Sequence, residues 1–401
     1  MNEGIKVISY PNHSGYGLSA LAYVRALHNA GIPVWWAPLI VRHGRHTIWQ
    51  PGDRLDELPL SIASGDDASL QDVAALLNAC GPKPYAKVLA HILPEHWQSV
   101  FEPGKRCIGY TVWETDTLPL HWPPLLSAAD KVLVPCAMNL RLFESAKFGK
   151  PVAAVPHIRR HAWNSVTSGE VAGLRQQLEI PEDHFVFYSI NVWDPRKALR
   201  DLVTAFGRTF SGHDKVTLVL KTSTWISELS LESASGRRIP EYVEALLDEV
   251  SRTTGRPAPN VVTIAADGLA GRVIDALHGL GDCFVSLTHG EGWGMGAFDA
   301  ATLGNPVLIT GYGGPEEYFA SDYPGLIPYT LETVSGWAPQ ASFRPPQRWA
   351  RPDPLATDRL LRRMVSHHSE FLDAAALAAE RIANRYAEPV VARQMIAALD
   401  D

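Results

Sequence analysis

The chain is poor in cysteine. It has four in 401 residues, Cys80, Cys107, Cys136 and Cys283. None of them forms a Cys-x-x-Cys pair, and three lie in or beside apolar runs. Reduced thiols are therefore expected rather than a disulfide framework or a zinc site. No run of ~18 apolar residues occurs, so no membrane-spanning helix is expected, and peripheral membrane contact stays open. The opening residues, Met1 to Lys6, run directly into a strand pattern and lack the form of a signal peptide, so a cytoplasmic location is expected. Positive charge is also short, with 36 Lys and Arg against 43 Asp and Glu and a formal net charge of −7. That balance does not suit a surface that tracks phosphate backbones, and no nucleic-acid partner is expected.

What is present is an ordinary globular composition, 46% hydrophobic and 20% charged. The length exceeds what one hydrophobic core usually organises, so two domains are expected. Short apolar runs at residues 6–11, 32–37, 87–92, 106–110, 131–135 and 152–156 read as strands. Helical spacing separates several of them, as at 18–30 and 137–147. A second series of strands begins at 185–189 and continues at 217–221, 261–264, 283–287 and 307–310. Alternating strands and helices predict parallel, doubly wound sheets, here two Rossmann-like units. The linker between them is expected near 156–167. Residues 41–66 and 334–354, rich in polar and turn residues, read as loops. A helix is expected over 69–78, with Ser69 as N-cap.

The most informative stretch is Thr288-His289-Gly290-Glu291-Gly292-Trp293-Gly294-Met295-Gly296-Ala297-Phe298-Asp299. It runs from one apolar strand through a glycine-rich loop into a short helix, ended by Gly304 and Pro306 before the next strand. Such a loop presents bare N–H groups and a helix N-terminus at the carboxyl edge of a sheet, which is an anion site. Two acids flank it, Glu291 in the loop and Asp299 in the helix. A phosphate site edged by carboxylates suits a nucleotide-sugar. Twelve tryptophans are present. Most are expected in the core, and Trp293 is expected near a ligand.

Glu291 to Asp299 resembles the E-x7-E motif of retaining glycosyltransferases of the GT-B fold, specifically family 4. The likeness extends through residues 290–318 and, more weakly, over most of 105–320. One departure is Asp299, where the family usually carries Glu. The resemblance implies two Rossmann-like domains facing a central cleft: an acceptor domain over 1–160, a donor domain over 161–385, and a final helix within 386–401 that crosses back to the first domain. It implies transfer of a hexosyl unit from a nucleotide-diphosphate sugar to a glycan, a lipid-linked saccharide or another hydroxyl acceptor, with retention. The implied mechanism uses no protein nucleophile and, with no Asp-x-Asp motif where a donor would sit, no metal or cofactor.

The other constellations fall into that frame. Gly15-Tyr16-Gly17-Leu18-Ser19-Ala20 matches G-x-G-x-x-A. The acid that a dehydrogenase would carry about twenty residues on is missing from Val34-Trp35-Trp36-Ala37. Gly15 and Gly17 are therefore assigned to a glycine loop facing the cleft. Arg196 and Lys197 follow the first strand of the second series, where cations can neutralise a diphosphate. Lys197 matches the family's lysine, and Asn191 stands where its arginine is usual. Lys221 is a second candidate. Glu114 is the candidate to act on the acceptor hydroxyl, with Asp116, His91, Glu95 and His96 as alternatives. His157 is expected to be structural and Glu317 to contact nucleotide. Two rivals stay open: a nucleotide-sugar or glycan binding protein without turnover, and another GT-B enzyme such as a sugar epimerase or a phosphorylase.

Overall fold

The structure is a computed structural model, and it describes residues 3–58, 60, 73–160, 162–224, 238–335 and 342–401. Two largely parallel sheets organise it. The first has seven strands in the order β3-β2-β1-β4-β5-β6-β7. They are β1 (Ile5–Ser9), β2 (Val34–Arg42), β3 (Arg45–Ile48), β4 (Lys87–His91), β5 (Arg106–Tyr110), β6 (Lys131–Val134) and β7 (Val152–Ala154). The second has six strands in the order β10-β9-β8-β11-β12-β13. These are β8 (Phe185–Ile190), β9 (Val216–Thr222), β10 (Asn260–Ala265), β11 (Cys283–Ser286), β12 (Val307–Thr310) and β13 (Leu326–Ile327). The central strands read as near-continuous apolar runs because helices cover both of their faces. β1, β6, β11 and β12 are buried at every position.

In both sheets the order reverses beside the first strand of the series. β1 lies between β2 and β4, and β8 lies between β9 and β11. Such switch points open a crevice at the carboxyl ends of the strands, where ligands bind in open α/β sheets. The helix Gly15–Asn29 starts above β1, with Ser14 as N-cap accepting from the Gly17 N–H. The helix Met295–Thr302 starts above β11, with Gly294 at φ +85° in the left-handed region as its first cap. Both helix N-termini face the space between the sheets.

Two segments read as loops carry strands. Residues 41–66 include β3, which pairs antiparallel with β2 from Leu39↔Ile48 to Arg42↔Arg45. Residues 334–354 include β15 (Arg348–Pro352), which pairs antiparallel with β14 (Tyr329–Thr333). β3 (Arg45-His46-Thr47-Ile48) and β15 (Arg348-Trp349-Ala350-Arg351-Pro352) are short and rich in charged or polar residues, and the partner strand supplies what the local pattern does not. The expected N-cap Ser69 lies outside the described residues, and the helix there is described over Val73–Ala79.

The chain ends in two long helices. His368–Arg385 buries Phe371, Ala375, Ala378 and Ile382 against the second sheet's cores. Glu388–Asp400 turns back and buries Val391, Ala392, Met395 and Leu399 in the core that holds Val24 and Leu27 of the first helix. Full burial of an aliphatic side chain contributes roughly 1.5–3 kcal/mol each. This helix thereby ties the second half to the first. Asn29 also donates to Glu388 at 2.7 Å, and Lys87 pairs with Asp400.

Candidate functional site

A cavity of about 440 Å³ lies between the two halves. His13, Ser14, Gly15 and Leu18 line it from the first half. Ile158, Arg159 and Arg160 line it from the linker segment. Val192, Lys221, Ser223, Met295, Gly296 and Asp299 line it from the second half. Its size falls in the ~300–1,000 Å³ range of small-molecule sites.

The two glycine loops meet across this cavity. A Cβ on Gly15 would sit 3.7 Å from Met295 Cγ, so the first helix's start faces the second's. The N–H groups of a helix's first turn have no intrahelical partner and attract anions. No acid occupies the first turn of Met295–Thr302 to cancel this. Gly17 is not among the lining residues. It lies against the preceding turn, where an added Cβ would come within 2.0 Å of the Asn12 carbonyl oxygen.

Asp299 lies on that same short helix and faces the cavity, and its buried Oδ1 has no hydrogen-bond partner. Burial raises its carboxyl to about 7, against the opposing pull of Arg160 and with a further push from Asp275. Arg160 is itself held by Asp275 through contacts of 2.6 and 2.9 Å. Asp275 and Arg160 were not singled out in the sequence. The signal available was the adjacent pair Arg159-Arg160, one residue after Pro156-His157.

Glu291, Lys197, Arg196 and Glu114 come together as a buried ion cluster beside the cavity. Lys197 Nζ lies 2.6 Å from Glu291 Oε1. Arg196 donates to the Gly290 carbonyl at 2.6 Å and lies 3.5 Å from Glu291 and 3.8 Å from Glu114. Burial would raise the Glu291 carboxyl, but Lys197 and Arg196 outweigh it and hold it below its ordinary value. For Glu114 burial wins over Arg196, with Glu291 adding repulsion, and its carboxyl is raised. Burial likewise opposes the charge of Arg196, yet Glu114 and Glu291 more than offset it and raise its pKa. Both cations are thus matched by acids rather than standing free. Asn191, where the family's arginine is usual, donates to Ser189 at 3.0 Å, and its neighbour Val192 lines the cavity.

The loop's glycines are explained by close packing on the first half. A Cβ on Gly290 would lie 2.1 Å from the Glu114 carbonyl oxygen, and one on Gly292 would lie 2.8 Å from Val112 Cβ. Trp293 is the clearest departure from expectation. It is 3% exposed and packs among His157, Phe298, Tyr318 and Tyr386, so it is a core residue and not a ligand platform.

Other candidates are structural. Asp116 grips Arg348 through its backbone and both carboxylate oxygens at 2.7–2.9 Å. Glu317 accepts from the Ala137 N–H at 3.0 Å, bracing the first half against the second instead of facing the cavity. His91 and His157 are buried with Tyr23 and Tyr110, and burial drives both imidazoles well below their ordinary value, His157 to about 3. Glu95 accepts from His121 and Trp122 at 2.9 Å, and the His96 ring packs tilted against that of His46. Among the described residues no group of three or more His, Cys, Asp or Glu is arranged to hold a metal ion, and no helix is long and apolar enough to cross a membrane.

No protein-family model and no curated protein matches the chain. Solved structures do match over its full length. Sucrose-phosphate synthase from Thermosynechococcus elongatus is 16% identical with a TM-score of 0.62, covering 98% of each chain. HepE of Anabaena in complex with UDP and glucose is 15% identical with a TM-score of 0.61, covering 99% of each. The E. coli trehalose-6-phosphate protein bound with UDP-2-fluoro glucose is 12% identical with a TM-score of 0.62, covering 99% of each. At these identities the likeness is one of fold, and two Rossmann-like halves around a central cleft give this chain the GT-B fold.

Proposed function

We propose that the protein is a glycosyltransferase that moves a hexosyl unit from a nucleotide-diphosphate sugar to a hydroxyl acceptor, with retention of configuration. One observation carries the reading. A cavity of nucleotide size joins the start of a helix, free of acids in its first turn, to the unpartnered carboxylate oxygen of Asp299 on that same helix. The helix start suits the diphosphate, and Asp299 suits the ribose hydroxyls. Glu291, three residues before the helix cap Gly294, suits the hydroxyls of the transferred sugar. A Cβ on Gly294 would sit 3.4 Å from Glu291 Cγ, which puts this acid against the helix start.

The mechanism that this site supports runs on one face of the sugar. The sugar–phosphate bond breaks as the acceptor oxygen approaches, and the departing diphosphate takes the acceptor proton. Fixed N–H dipoles aimed at developing charge supply the stabilisation. Glu114, with its carboxyl raised by burial, suits a group that orients or relays the acceptor proton. No metal or cofactor takes part in this scheme. The acceptor belongs to the class of glycans, lipid-linked saccharides and other hydroxyl compounds, and a cytoplasmic setting fits the free supply of nucleotide-sugar.

UDP-glucose is the first donor to test, because UDP and a UDP-sugar analogue occupy two of the proteins that share this fold. The test is release of nucleotide diphosphate from a panel of nucleotide-sugars in the presence of mixed saccharide acceptors. Acceptor-dependent release supports transfer. Donor binding with no release under any acceptor would favour the binding-protein alternative.

A further inference from the structure

The cavity carries more positive charge than its protein does. Arg25, Arg159, Arg160 and Lys221 line it, against the carboxylates of Asp267 and Asp299, in a chain of formal charge −7. These cations are not equally engaged. Arg160 is held bidentately by Asp275. Arg159, next in the chain, has a buried Nε with no hydrogen-bond partner among the described residues. Its backbone is fixed, since its N–H donates to the Tyr386 carbonyl at 2.9 Å and Ile158 beside it is buried. A guanidinium held on a rigid segment, lining a cavity, with its Nε unpartnered among the described residues, is arranged to meet an anion from solution.

Lys221 stands on another wall, at the carboxyl end of β9. Burial lowers its ammonium, offset in part by Asp267, so a bound anion would restore the charge that burial opposes. Lys197 contrasts with both. It is 2.6 Å from Glu291 and is not a lining residue.

We propose that Arg159, with Lys221 on another wall of the cavity, holds the diphosphate of the donor, a role the sequence alone assigns to Arg196 and Lys197, with Lys221 as a second candidate and Arg159 not among them. The assignment rests on the reading of the cavity as a nucleotide-sugar site. It also gives the linker segment a part in binding: the diphosphate would lie between the helix start at Met295 and a cation on the strap that joins the halves.

The test is calorimetric titration of the full-length protein, its R159Q and R159K variants and K197M, with UDP, with uridine, and with GDP and ADP as further probes. Loss of a hydrogen bond to a charged group predicts UDP affinity weakened about tenfold or more in R159Q, with uridine affinity unchanged. R159K keeps the charge and is expected to fall between. K197M is expected to retain UDP affinity within about threefold, because its partner is Glu291. Melting curves without ligand show whether each variant is folded. Equal UDP affinity in R159Q and the parent overturns the assignment, and a loss confined to K197M returns the role to Lys197. If the parent binds none of the nucleoside diphosphates, the reading of the cavity as a donor site fails instead.

Discussion

Lys197 Nζ lies 2.6 Å from Glu291 Oε1, across 94 positions of sequence, with both side chains largely buried. The pair joins the segment after β8 to the glycine loop after β11. It changes the expected outcome of substitution. A buried charge left without its partner costs roughly 3–5 kcal/mol, whereas removal of both partners costs far less. E291Q, which leaves Lys197 without its acid, should lower the unfolding free energy by several kcal/mol. K197M should lower it less because Arg196 still lies 3.5 Å from Glu291, and the double variant should lose less than the sum of the two. Additive losses in chemical denaturation would contradict a coupled pair.

Asp299 gives a pH prediction. Its folded value of about 7 lies above the ordinary 3.8, so folding favours the protonated form. The sign follows from proton linkage. Stability is fully present below the unfolded value and is lost as pH rises from about 4 through 7. D299N removes that loss. The variant should therefore melt higher than the parent at pH 8, and the difference should vanish near pH 4. A difference that is constant across this range would show that Asp299 does not titrate there.

The glycines divide by their surroundings. Gly290→Ala drives a Cβ to 2.1 Å from the Glu114 carbonyl oxygen, and that backbone cannot yield without parting the two halves. This variant is expected to lose transfer and to melt lower. Gly173, in the helix Ser168–Gln177, has nothing within 4 Å of an added Cβ. Gly173→Ala should stabilise by about 0.5–1 kcal/mol and leave nucleotide binding unchanged. Similar effects from the two substitutions would remove the packing account of the donor loop.

Much of this architecture is written locally in the sequence. The strand, loop, helix and strand of 283–310 follow from apolar runs, Gly294 and Gly304, and they lie where expected. The two series of strands are equally legible, because parallel strands buried on both faces stay apolar. What the sequence does not show is what depends on a distant partner. β3, Arg45-His46-Thr47-Ile48, has no apolar face of its own and exists by pairing with β2. Trp293 carries no local mark of the His157, Tyr318 and Tyr386 rings that enclose it. Lys197 reads as a free cation until Glu291 is placed beside it, and Arg159 reads as linker until the cavity closes around it.

The central claim is that this cleft transfers a sugar and that Glu291 acts at the sugar end. The most direct measurement pairs donor turnover with nucleotide affinity for E291Q against the parent, at a temperature where both are folded. The account predicts that E291Q binds the bare nucleoside diphosphate within about tenfold of the parent, or ~1.4 kcal/mol, while acceptor-dependent release of nucleotide falls by orders of magnitude. Undiminished turnover by E291Q, or a parent that binds nucleotide-sugar and never releases nucleotide to any acceptor, would contradict it.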